Sequence, residues 1–190
     1  MKSMAIMCIL FMYMSVACLN SFGSEKISEF GIPEDNLPAG FKLLAIKTNS
    51  TPGVNITEDI NEFFGAENIG PSEAVIGVYI WGPLGQAYDA KITLINLTDE
   101  KHAQAAITNY RSQSKYQKPL YNRVDRGKED RFAKAIVNGH EVLEIRDVVD
   151  TVGLGDVRYL FLWNNNATVV LVEGNNDRSK SLELASATKL

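Results

Sequence analysis

Ala87-Tyr88-Asp89-Ala90-Lys91-Ile92-Thr93-Leu94-Ile95-Asn96 runs directly into Leu97-Thr98-Asp99-Glu100-Lys101-His102-Ala103-Gln104-Ala105-Ala106-Ile107-Thr108-Asn109-Tyr110, and the hydropathic period changes at the join. In the first part Tyr88, Ala90, Ile92 and Leu94 alternate with Asp89, Lys91 and Thr93, the period of a half-buried strand. In the second, Ala103, Ala106, Ile107 and Tyr110 form a single helical stripe that must face a sheet. Thr98 reads as the cap of a helix over about 99–114, with Asp99 and Glu100 at its positive end and Arg111 near its negative end.

Upstream, Ala74 to Trp81 is almost wholly apolar and reads as a central strand, turned back by Gly82-Pro83-Leu84-Gly85-Gln86. Phe41 to Lys47 is another strand. A Pro/Gly loop separates it from a short helix capped by Asn55 or Thr57 and stopped by Gly65. Downstream, 115–131 is a polar loop holding a short strand at 120–124. Two hairpins follow. Asn138-Gly139 suits a type I′ turn between Phe132–Val137 and His140–Arg146, and Asn164-Asn165-Asn166 joins Arg158–Trp163 to Thr168–Val172. A last helix starts at Asp177 or Ser179 and runs to Thr188. Trp81, Trp163, Tyr79, Tyr159 and Phe161 fall at strand spacing, as core residues do. The expected fold is α+β, a mainly antiparallel sheet with two or three helices. It has a ferredoxin-like start (strand–helix–strand–strand–helix), extended by two C-terminal hairpins and a helix.

All five methionines and both cysteines of the 190 residues lie within the first 18. Lys2 followed by the apolar run to Leu19 is an export signal, shorter than a comfortable membrane span. Ser21-Phe22-Gly23 offers an ordinary signal-peptidase site. Ser15-Val16-Ala17-Cys18 resembles a lipobox in which Cys18 is lipidated, with Ser15 where an aliphatic residue is usual. Retention as an uncleaved anchor is the third outcome. Residues 1–23 are thus a signal peptide or lipoprotein signal, 24–40 an extended lead-in, and 41–190 one domain. Without cysteine, that domain has neither disulfides nor thiolate metal ligands. Asn49, Asn55, Asn96 and Asn166 each begin an Asn-x-Thr sequon, the acceptor for N-glycosylation in an exported chain.

The familiar catalytic arrangements are missing from the sequence. His140-Glu141 has Glu144, not a second histidine, four residues on, and His102 is the only other histidine. Asp147, Asp150 and Asp156 flank a Gly153-Leu154-Gly155 connector, but their spacing fits no EF-hand and the glycines no dinucleotide loop. Neither a Gly-x-Ser-x-Gly elbow nor a Walker loop occurs. No catalytic residue, metal ligand or cofactor is assigned on these grounds. A hydrolase built on carboxylates far apart in sequence (Glu141, Glu144 or Asp147) stays open as an alternative, as does a small-ligand domain.

Charge is the asymmetric feature. Arg111, Lys115, Lys118, Arg123, Arg126, Lys128, Arg131 and Lys134 face only Asp125, Glu129 and Asp130, so 111–134 carries about +5 in a chain of net charge −4. Tyr110, Tyr116 and Tyr121 are interspersed. Such a segment suits an anionic envelope component or a protein partner, with Arg111, Lys115, Lys118, Arg123, Arg126, Lys128 and Arg131 as the binding residues. Nucleic acid is disfavoured by the acidic remainder of the domain.

The Ala17-Cys18 signal end, the Leu37-Pro38-Ala39-Gly40-Phe41 entry and Trp163-Asn164-Asn165-Asn166 between apolar strands together resemble uncharacterised exported or lipoprotein-type single-domain proteins of prokaryotes, archaeal ones especially. That resemblance implies an extracytoplasmic location, secreted or surface-anchored, and no particular activity. Membrane contact is then expected only through the N-terminal segment or a lipid on Cys18.

Overall fold

The computed structural model describes residues 31–82, 88–121, 128–149 and 156–190. Residues 31–190 form one compact unit. The expected signal, with Cys18, and the glycine connector 153–155 lie outside the described residues.

The strands are β1 (Phe41–Thr48), β2 (Glu73–Trp81), β3 (Tyr88–Asn96), β4 (Leu120–Tyr121), β5 (Lys128–Glu129), β6 (Phe132–Val137), β7 (His140–Val149), β8 (Asp156–Asn165) and β9 (Thr168–Glu173). The helices are α1 (Ile56–Asp59), α2 (Glu100–Arg111) and α3 (Arg178–Ala187). No described helix is long and apolar enough to cross a membrane. Seven strands make one antiparallel sheet in the order β1-β2-β3-β9-β8-β7-β6, and β4 pairs with β5 alone. The α+β class and the strand–helix–strand–strand–helix succession are therefore present. The first three strands pair in chain order, as do the last four, and β3 against β9 joins the two meanders.

Pleat alternation divides the side chains into two cores. On one face Ile76, Ile95, Ile145, Leu160, Leu162, Val169 and Leu171 pack under Ala103, Ala106 and Tyr110 of α2. On the other, Val75, Tyr79, Ile92, Leu94, Phe161, Trp163, Val170 and Val172 are buried, and α3 lies over β8 and β9 with Leu184 and Ala185 inward. The two principal helices thus sandwich the sheet. Burial on both faces accompanies the unbroken apolar stretches of β2, β8 and β9, while the edge strands bury few residues: Phe41 in β1, and Ala135 and Val137 in β6, which is nonetheless apolar but for Lys134.

Local signals place the ends of these elements. Asp99 caps α2, its carboxylate accepting from the His102 N–H at 2.9 Å; the cap falls one residue later than Thr98. Asp177 caps α3, accepting from the Lys180 N–H at 3.0 Å. Asn138 (φ 50°) and Gly139 (φ 85°) form the β6–β7 turn, both in the left-handed region a type I′ hairpin requires. The β8–β9 turn is Asn166-Ala167, because Asn165 already pairs with Thr168. Asn109, buried in α2, donates to the carbonyls of Phe63 (3.0 Å) and Glu67 (2.8 Å) and accepts from the Glu67 N–H, fixing the loop after α1 to the helix. Tyr79 donates to the Pro33 carbonyl at 2.8 Å and straps the lead-in to the α3 face. It reaches there because Gly77 leaves room: a Cβ at 77 would stand 2.8 Å from the Tyr79 ring. Burial, with Glu34 nearby, pushes the Tyr79 phenol above its ordinary range.

Candidate functional site

The C-terminal end of α2 and the one-turn 3-10 helix Ser114–Gln117 carry the first part of the basic segment across the sheet face. Four aromatic rings line up beneath it. Phe63 lies 4.8 Å from Tyr110, Tyr110 5.7 Å from Tyr116, and Tyr116 6.0 Å from Phe132, the last edge-on. Tyr116 donates to the Tyr110 hydroxyl at 3.2 Å. Burial raises both phenols, Glu173 adding to the effect at Tyr110, so both stay protonated at neutral pH.

Three cations are set against these rings. The Arg111 guanidinium is 4.9 Å from the Phe132 ring centre. The Lys115 ammonium is 4.8 Å from Tyr116 and 5.8 Å from Tyr110, and Arg131 is 5.9 Å from Tyr116. Each such contact is worth about 0.5–1 kcal/mol where water has access. Lys115 also meets Glu62 Oε1 at 2.7 Å and Asp147 Oδ2 at 3.9 Å. Desolvation pulls its pKa down, but the Glu62 hydrogen bond, Tyr116 and Asp147 outweigh that and hold it above the ordinary lysine value. Arg131, its side chain only 10% exposed, approaches Asp147 at 3.7 Å and donates to the carbonyls of Lys118 (3.1 Å) and Arg146 (2.9 Å).

The seven cations expected to act together therefore have different situations. Lys115 and Arg131 are neutralised and built into the fold. Arg111 and Lys118 are exposed, and among the described residues neither pairs with a carboxylate. Lys128 lies in β5, and its side chain, with Arg123 and Arg126, is outside the described part. Arg111 lies over a ring and so keeps its in-plane N–H donors available to an anion. Glu62, the counter-ion of Lys115, gave no signal in the sequence because it comes from the loop after α1, 53 residues away.

The carboxylates considered for hydrolysis are kept apart. Glu144 points to the α3 face, where the Arg178 guanidinium grips it (Nε at 3.1 and 3.0 Å, Nη2 at 2.6 Å) and Arg146 stands at 3.7 Å. Glu141 and Asp147 project from the opposite face, separated by about 20 Å of strand at about 3.3 Å per residue. An acid–nucleophile pair needs about 5–10 Å. Glu141 pairs instead with Lys134 at 2.8 Å. His102 Nδ1 is 2.7 Å from Asp99 on exposed helix surface, and His140 is exposed at the start of β7. Among the described residues no group of three His, Cys, Asp or Glu is placed to hold a metal ion.

Of the sequon asparagines, Asn49 and Asn166 sit in exposed turns and Asn55 at the start of α1. Asn96 is half-buried, its side-chain oxygen accepting from Thr168 at 2.7 Å.

These features define a class: a three-layer α+β domain whose most distinctive surface is a cation–aromatic margin. The chain matches no protein-family model, no curated protein and no solved structure.

Proposed function

We propose that this chain is an extracytoplasmic, non-catalytic interaction domain that takes an anionic envelope component on the margin bordered by Arg111 and Lys118. The observation that carries the reading is the division of labour among the cations. Lys115 and Arg131 are held by Glu62 and Asp147, so their charges are spent within the fold. Arg111 and Lys118 border the margin without a carboxylate among the described residues. Exposed cations without a counter-charge attract anions, and Arg111 is in addition set over the Phe132 ring. The proposed location rests on the N-terminal signal and is independent of this geometry.

The test is retention on an immobilised acidic polysaccharide at low ionic strength, for wild type and for the double variant Arg111→Glu/Lys118→Glu. Both side chains are exposed, so the variant should fold. Affinity should fall about tenfold or more, since each cation near an anionic surface is worth about 1 kcal/mol. Wild-type binding should weaken steadily with added salt. Equal retention of the two proteins would dispose of the reading.

A further inference from the structure

The two edges of the sheet are finished differently. β1 carries a bulge between Leu43 and Ala45 and two lysines, Lys42 and Lys47, the second 3.6 Å from Asp59; bulges and edge lysines discourage another strand from pairing. β6 pairs with β7 in unbroken register, without a bulge, and has a single lysine, Lys134, which meets Glu141 at 2.8 Å on the solvent-exposed surface.

Its hydrogen-bonding direction follows from one contact. The Arg146 N–H donates to the Arg131 carbonyl at 2.9 Å, in register with Phe132 opposite Ile145. Hydrogen-bonded pairs alternate along an antiparallel ladder, so Ala133, Ala135 and Val137 also bond inward to β7. Phe132, Lys134 and Ile136 then direct their N–H and C=O groups outward. Ile136 is 62% exposed on the same edge.

We propose that β6 is a homodimerisation edge, pairing antiparallel with β6 of a second copy about a two-fold axis at Ala135. A continuous sheet requires like faces to match, so the axis falls on a residue. An axis at Lys134 sets two ammonium groups opposite each other, which is destabilising. An axis at Ile136 leaves Lys134 opposite the turn residue Asn138. An axis at Ala135 sets Lys134 against the partner's Ile136 and Ile136 against the partner's Lys134. Each lysine stem then covers an exposed isoleucine, while its ammonium stays with Glu141. The occupant is a second copy because this strand complements itself in that register, which is what a two-fold interface demands. A six-residue strand offers less than the roughly 1,200 Å² of a standard interface, so the dimer is weak and concentration-dependent. The inference does not rest on anion binding at the α2 margin.

Sedimentation velocity of the full chain from micromolar to millimolar concentration, with amide hydrogen exchange at both ends of the range, tests it. The expected result is a monomer–dimer equilibrium in which the Lys134 and Ile136 amides exchange fast when dilute and gain protection when concentrated. Ala133 and Ala135 should be protected throughout. Lys134→Pro removes an outward N–H without touching the β6–β7 ladder and should shift the dissociation constant up at least tenfold while the other ladder amides stay protected. A chain that stays monomeric, or that dimerises with the Lys134 and Ile136 amides unchanged, overturns the proposal and leaves the edge to water or a foreign strand.

Discussion

Glu144 is the most demanding residue in the fold. Its side chain is 1% exposed, on a strand, with Arg178 of α3 and Arg146 as partners. A carboxylate withdrawn from water this far is tolerated only when its oxygens are filled, and the two-nitrogen grip of Arg178 fills them. Arg178→Met should cost about 2–3 kcal/mol in urea unfolding, somewhat below the usual penalty for breaking a buried pair, because Arg146 remains at 3.7 Å. Adding Glu144→Met should recover much of that loss, since the stranded charge goes too; a double variant as unstable as the sum of the single ones would show that the two residues do not act as a pair. The buried phenols make a second prediction. In the fold Tyr79, Tyr110 and Tyr116 titrate above the ordinary tyrosine value. Their contribution to stability is complete below about pH 10, the unfolded value, and is lost as pH rises from there toward the native values. The phenolate absorbance of these three should grow only in step with unfolding. Ionisation of all seven tyrosines near pH 10 in a still-folded chain would contradict their burial.

At the scale of elements, the termini of α2 and α3 depend on single aspartates. The backbone hydrogen bond from His102, followed by its ring, holds Asp99 below the ordinary carboxyl value. A carboxyl depressed in the folded state stabilises above its unfolded value and stops doing so as pH falls through its native one. Asp99→Ala should therefore lower the thermal midpoint at neutral pH and have little effect in strong acid, while Asp99→Asn keeps the cap and loses the pH dependence. Asp177→Ala should cost about 1 kcal/mol by the same measurement. In the β6–β7 turn, Gly139→Ala meets no atom within 4 Å, so its cost is conformational, about 1–2 kcal/mol for a left-handed residue. These features were legible in the sequence because they are local: a capping side chain, an Asn-Gly pair, a period of two. Choosing Asp99 over Thr98 was not, since both residue types cap and only the extended backbone at 99 (φ −160°) decides. The basic segment was legible as charge. That Lys115 and Arg131 would be neutralised was not, because Glu62 and Asp147 reach them from other elements.

The same limit applies to the molecule as a whole. Alternation shows which side chains share a face but not which strand lies beside which, so the pairing of β3 with β9 had no signature. That ladder, Lys91–Asn96 against Thr168–Glu173, joins a meander of the first three strands to a meander of the last four. Helix α2 follows the first meander in the chain yet packs on β8 and β9 of the second, so the halves are also tied across the sheet face. A sheet held only by its central ladder would unfold in two steps, whereas one bridged by a helix should unfold in one. The chain has two tryptophans, Trp81 on β2 and Trp163 on β8, one in each meander. The single-tryptophan variants Trp81→Phe and Trp163→Phe should show, in each protein, a fluorescence transition that coincides with its own far-UV transition in urea. In each variant Leu171→Ala, which empties the α2-side core at β9, should lower both signals together by about 3 kcal/mol. If Trp163 fluorescence fell before the far-UV signal while Trp81 held, the meanders would be separate folding units and α2 would not be the tie.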